Sequence, residues 1–193
     1  MTDITSLIPS QPVPEVVVDL VGGGRFELST AKRERFTLIN FYRGLHCPQC
    51  KRQLQDLNRK IGEFTKRGVE VIAISTDSRE RAELSKRDWE IPEVTIGYGL
   101  PLQEARKWGL FISTGRGMTS TGIEEPPLFS EPGIFLVAAD GTLYCSIVQT
   151  MPFIRLHFNE LLGALDNAII PRNYPARGQV ADLGETLGRQ AAE

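Results

Sequence analysis

The chain has 193 residues, 41% of them hydrophobic and 24% charged, the makeup of one globular domain with a full-sized core. A formal net charge of −2 and the lack of a long basic run exclude the electrostatic footprint of a nucleic-acid binder. Met1 to Glu15 has no basic start before an apolar core, and no run of ~18 uncharged apolar residues occurs, so no membrane span is read and a cytoplasmic protein is expected.

Residues 1–14 carry Pro9, Pro12 and Pro14 with few apolar side chains and read as a loosely held lead-in. One domain is expected over residues 15–172, with a tail over 173–193. Val16 to Leu20, the turn Gly22-Gly23-Gly24, and Phe26 to Leu28 predict a β-hairpin, followed by an exposed charged link from Lys32 to Arg35. Phe36 to Tyr42 is a nearly continuous β-branched and aromatic run, as for a strand covered on both faces. From Pro48, the spacing of Cys50, Leu54, Leu57, Ile61 and Phe64 marks one helical stripe, and Lys66-Arg67-Gly68 stops it. Val69 to Ser75 returns as a second strand, completing a strand–helix–strand unit.

Asp77 and Glu80 have capping-box spacing and open a predicted helix through Arg79 to Trp89, which Ile91-Pro92 ends before a short apolar segment, Val94 to Ile96. Leu102 to Trp108 predicts another short helix. Residues 109–130, broken by Gly115, Gly117, Gly122, Pro126 and Pro127, read as an excursion holding a small hairpin. Gly133 to Ala138, the turn Ala139-Asp140-Gly141, and Thr142 to Val148 predict a hairpin that joins the main sheet. Pro152 suits a first helical position, and Ile154, Phe158, Leu161, Leu162, Leu165 and Ile169 predict a closing helix that Pro171 terminates. The tail has a weak helical pattern from Val180 to Leu187.

Two of the three cysteines lie in Cys47-Pro48-Gln49-Cys50, between the first strand of that unit and its helix. Without further Cys or His pairs nearby, this spacing points to a redox dithiol more than to a metal site. With Pro48 as the first helical residue, Cys47 falls at the cap, where unpaired N–H groups and the helix dipole favour a thiolate. Cys50 falls one turn in, more shielded and close enough for a disulfide. Arg43 and His46 stand just upstream as further sources of positive charge, with His46 open between site tuning and solvent. Cys145, between Tyr144 and Ile147, reads as strand packing; His157 reads as structural, and Trp89 and Trp108 as core or surface aromatics.

Phe41-Tyr42-Arg43-Gly44 leading to Cys47-Pro48-Gln49-Cys50, Ser75-Thr76-Asp77-Ser78 after the second strand, and Pro132-Gly133-Ile134-Phe135-Leu136 followed by Asp140-Gly141-Thr142 resemble the thioredoxin superfamily. Within it they are most similar to the peroxiredoxin-like branch, the alkyl hydroperoxide reductase/thiol-specific antioxidant family. The resemblance covers about Val16 to Leu165. It implies an α/β thioredoxin-like fold, a central mixed sheet flanked by helices, with the first hairpin as an extension. Cys47 falls at the family's peroxidatic cysteine. Typical members carry proline and threonine where this chain has Asn40 and Gly44. Pro132 stands where they carry an arginine, for which Arg43 is the candidate substitute. Pro132 is also similar to the thioredoxin-type proline that faces the dithiol, which implies a cis Glu131–Pro132 bond placing Glu131 backbone groups beside the sulfurs.

The expected activity is thiol-dependent redox catalysis on a peroxide or a disulfide, with no cofactor. Cys47 attacks, Cys50 resolves, and a thioredoxin- or glutaredoxin-type dithiol reduces the pair. Arg43 assists, while Tyr42, Gly44, His46, Pro48, Glu131 and Pro132 shape the site. A homodimer is in keeping with similar proteins. Two other readings stand beside this one: a soft-metal carrier using Cys47, Cys50 and His46 or His157, and a non-catalytic redox-sensitive module.

Overall fold

A computed structural model describes residues 5–31 and 34–184. The predicted charged link at Lys32 and residues 185–187 of the predicted tail helix lie outside the described residues. The first strands, β1 (Val17–Leu20) and β2 (Arg25–Glu27), pair antiparallel across Gly22, Gly23 and Gly24. All three glycines have positive φ, +94, +101 and +85°, a backbone path that side chains with a Cβ resist.

The centre of the sheet is β3 (Phe36–Phe41). After it come α1 (Pro48–Asn58), α2 (Ile61–Lys66), β4 (Val69–Ile74), α3 (Arg79–Asp88), β5 (Thr95–Tyr98) and α4 (Leu102–Lys107). The excursion forms a separate two-stranded ribbon, β6 (Ile112–Thr114) against β7 (Leu128–Ser130). The chain then returns through β8 (Gly133–Ala138), β9 (Leu143–Val148) and α5 (Phe158–Ala164), which continues as a π-helical turn over Leu165–Ile169.

The seven-stranded sheet runs β2-β1-β5-β4-β3-β8-β9. β3 is parallel to β4, with Phe41 opposite Ile74, and antiparallel to β8, with Phe41 opposite Gly133. Alternation along β3 separates two cores. Leu38 and Tyr42 face one layer with Leu54, Phe64, Ala82 and Phe158 from α1, α2, α3 and α5. Ile39 and Phe41 face the other, with Ala105, Trp108, Phe135 and the hairpin residues Val18 and Phe26. Helices therefore cover both faces, and Phe36–Phe41 is mostly apolar for that reason, with Thr37 and Asn40 as buried exceptions. Both tryptophans are core: Trp108 packs on Phe41 and Phe135, and Trp89 packs edge-on to Tyr42. No helix among the described residues is long and apolar enough to cross a membrane.

Three predicted elements differ. The stripe after the cysteines is split between α1 and α2 at Arg59-Lys60, both of which pair with the Asp56 carboxylate. Leu57 and Phe64 stay buried across the break, so the apolar spacing survives it. The cap of α3 is Ser78, whose Oγ accepts from the Arg81 N–H, and not Asp77, which turns into the protein. The closing helix begins at Phe158 instead of Pro152: Phe153 and Ile154 are exposed, and the segment 151–157 folds around the Arg155 side chain.

Candidate active site

Cys47 caps α1. Its Sγ accepts from the Cys50 backbone N–H at 3.2 Å, and Pro48 occupies the first helical position, where no donor is lost. Both cysteines are free thiols and both are buried. The Cys47 pKa is lowered to about 6. The Cys50 thiol is the largest cause, through a hydrogen bond to the thiolate; the Cys50 N–H and the charges of Arg43 and Arg155 add to it, against burial. Cys50 shifts the opposite way, well above an ordinary thiol, because burial disfavours its charge and Cys47 already holds the thiolate. The turn thus carries one thiol that ionises readily and one that holds its proton.

The loop before Cys47 is fixed from β4. Asp77 accepts from the Leu45 N–H at 2.7 Å and from Arg81 Nε at 2.9 Å, and burial raises its pKa. Gly44 sits at φ +132°, and a Cβ there would lie 2.6 Å from an Asp77 carboxylate oxygen, so any larger residue would displace that oxygen. Tyr42 is fully buried below the turn and donates its N–H to Ile74.

Arg43 does not reach toward the sulfurs with a free edge. Its Nη2 donates to Glu125 at 3.1 Å, its Nε is ion-paired to Glu131 at 3.3 Å, and its guanidinium lies 4.6 Å over the Phe129 ring. Glu131 is buried and accepts from Ser113 at 2.6 Å. The guanidinium that does reach the dithiol is Arg155, with Nη2 4.0 Å from Cys47 Sγ and 3.9 Å from Cys50 Sγ. Its Nη1 is anchored on the carbonyls of Met151 and Ile154, and its Nε is buried with no protein partner. A groove of about 360 Å³ lined by Gln49, Arg52, Gln53, Phe153, Arg155 and His157 opens beside it.

Two expectations are corrected. The Glu131–Pro132 bond is trans: there is no cis peptide among the described residues. Pro132 is held instead by its carbonyl, which accepts from Gln149 at the end of β9, and Glu131 meets the site through its carboxylate on Arg43 and not through its backbone. His46 supplies no positive charge. It is buried against Phe129, its Nδ1 faces Arg81 Nη2 at 3.4 Å, and burial with Arg43 and Arg81 nearby lowers its pKa to about 3.

His157 is exposed at the start of α5, and among the described residues no group of three or more His, Cys, Asp or Glu side chains could hold a metal ion. Cys145 is half-buried on β9, its pKa raised to about 11 by burial. Sequence reasoning missed Arg155, Asp77, Arg81 and Glu125. Asp77 had a signal, since it follows β4 at the same strand ends as Cys47, where α/β sites gather. Arg155 had none, because tertiary folding alone brings it 108 residues back to Cys47.

The model of the AhpC/TSA family matches residues 9–145, most of the chain. The chain belongs to this family. Two curated relatives from Mycobacterium tuberculosis, both given a provisional peroxiredoxin name, are 30% identical over 81 residues, 42% of this chain and 51% of theirs. The chain thus spans about half the length of the curated relatives it matches. Among solved structures, peroxidoxin BcpB of Mycobacterium tuberculosis superposes with a TM-score of 0.63 at 17% identity, covering 83% of this chain and 97% of that one. A reduced 2-Cys peroxiredoxin of Plasmodium vivax gives 0.66 at 16%, covering 84% and 81%. These structures share the AhpC/TSA member's fold.

Proposed function

We propose that the chain is a thiol peroxidase. The Cys47 thiolate attacks the terminal oxygen of a hydroperoxide, the O–O bond breaks, and an alcohol or water leaves with a proton while Cys47 becomes a sulfenic acid. Cys50 then attacks the sulfenic sulfur and water leaves, forming the Cys47–Cys50 disulfide. A thioredoxin- or glutaredoxin-type dithiol returns both thiols and is itself oxidised.

The observation that carries this reading is Arg155: its Nη2 stands beside both sulfurs and its Nε is buried without a protein partner, which supports a donor for a peroxide oxygen at the thiolate. The adjoining groove has room for an organic hydroperoxide as well as hydrogen peroxide. Thioldisulfide exchange is the second reading, favoured by the protonated, shielded Cys50 one turn from Cys47. The trans bond at Pro132 removes one of its supports.

Stopped-flow oxidation of reduced wild type, Cys47→Ser and Cys50→Ser tests the assignment. Cys47→Ser should not react, and Cys50→Ser should react and hold a sulfenic acid that a dione reagent traps. Equal reaction of all three proteins would overturn the assigned roles. Reaction with a disulfide but not with any hydroperoxide would favour exchange.

A further inference from the structure

Arg43 is ringed by acid. Glu125, from the stretch between β6 and β7, takes its Nη2, and Glu131, in the link between β7 and β8, pairs with its Nε. Each carboxylate is itself fixed from the excursion: Glu125 accepts from the Arg116 N–H at 2.8 Å and Glu131 from the Ser113 hydroxyl. Both are nearly solvent-free, with side chains 9% and 6% exposed, so water screens the cluster little. Phe129 closes one face of the guanidinium. The neighbouring His46 is neutral, and Arg81 beside it is paired with Asp77.

Two carboxylates on one guanidinium leave the cluster with an excess negative charge at the same end of the sheet as Cys47. From this geometry we infer that Glu125 and Glu131 are positioning residues that set the acidity of the Cys47 thiol, by screening Arg43 and keeping its donor edges from substrate. The excursion, residues 109–130, is thereby a regulator of the dithiol, through Glu125 and through the Ser113 bond to Glu131. Arg155, bound to carbonyls instead of carboxylates, keeps its full charge for the sulfurs. The chain divides two arginines between two tasks, one screened and one open.

The test is the titration of the reduced thiolate, read by ultraviolet absorbance and by the pH profile of iodoacetamide modification, in wild type, Glu125→Gln, Glu131→Gln and Arg43→Gln. Glutamine keeps an acceptor for Arg43 while removing the charge. The Cys47 midpoint should fall by about 0.5 to 1 pH unit in either glutamate variant and rise by a similar amount in Arg43→Gln. At pH 6 the glutamate variants should therefore react up to about twofold faster. A midpoint that stays put or rises in the glutamate variants overturns the inference. The carboxylates stand on separate segments, so one variant serves if the other fails to fold. The inference rests on Cys47 being the activated thiol but the readout needs no peroxide, so absence of peroxidase turnover would sink the proposed function and leave this result standing.

Discussion

Replacing Arg155 by methionine removes the cation that reaches both sulfurs and leaves an unbranched stem to fill the space. A full charge 4 Å from a thiolate is worth about 4 kcal/mol at an effective dielectric of 20. Arg155 is half-buried and its contacts to sulfur are long, so the low end of a charge-assisted hydrogen bond, about 1.5 kcal/mol, is the better figure. That corresponds to about one pH unit and moves the Cys47 midpoint from about 6 to about 7. The sign follows from which form the cation favours: Arg155 stabilises the thiolate, so its loss raises the pKa and depletes thiolate below pH 7. Iodoacetamide reaction at pH 6 should slow about fivefold and approach wild type above pH 8. Hydrogen peroxide oxidation should slow by about a further tenfold at every pH, because the donor edge offered to the peroxide is lost as well. An alkylation midpoint still near 6 would refute the electrostatic part of this argument, and equal slowing of alkylation and peroxide oxidation would refute the donor part.

Gly44→Ala should destabilise the fold by about 2 to 3 kcal/mol, from a strained backbone at φ +132° and displacement of the Asp77 carboxylate; a thermal midpoint within about 1 °C of wild type would contradict the contact. His46 gives a pH signature of definite sign. Its folded pKa lies below the unfolded one, so its contribution is present above about pH 6.5 and is lost as pH falls toward 3. Urea unfolding should show wild type losing about 1 to 2 kcal/mol between pH 7 and pH 5, with His46→Gln losing less; identical slopes would mean that His46 is not held neutral.

What could be read from the sequence is what the chain decides locally. The run Phe36 to Tyr42 and the Pro48 start of α1 need only neighbouring residues, so the dithiol turn and its cap were legible. Charge was not. His46, just upstream of Cys47, offered a positive charge in the sequence, yet burial against Phe129, with Arg43 and then Arg81, 35 residues on, beside it, holds it neutral. Arg155 hid inside a good helical pattern. Pro152 and the spacing from Ile154 onward favour a helix, but Met151 and Ile154 carbonyls bound to the guanidinium cost that helix its first turn. The proline at 132 was a family likeness at a position where the neighbouring side chain, Glu131, has taken another task.

The long-range bonds around Cys47 bear on when the site comes into being. Arg155 is 108 residues from Cys47 and 105 from Cys50, and Arg43 meets Glu125 across 82. Even β3 lacks its second neighbour until β8 has been made. A chain still emerging from synthesis has Cys50 and Arg43 close to Cys47 in sequence but lacks Arg155. The guanidinium that reaches both sulfurs arrives only as the last third of the molecule docks, so the full reactivity of Cys47 marks a finished fold.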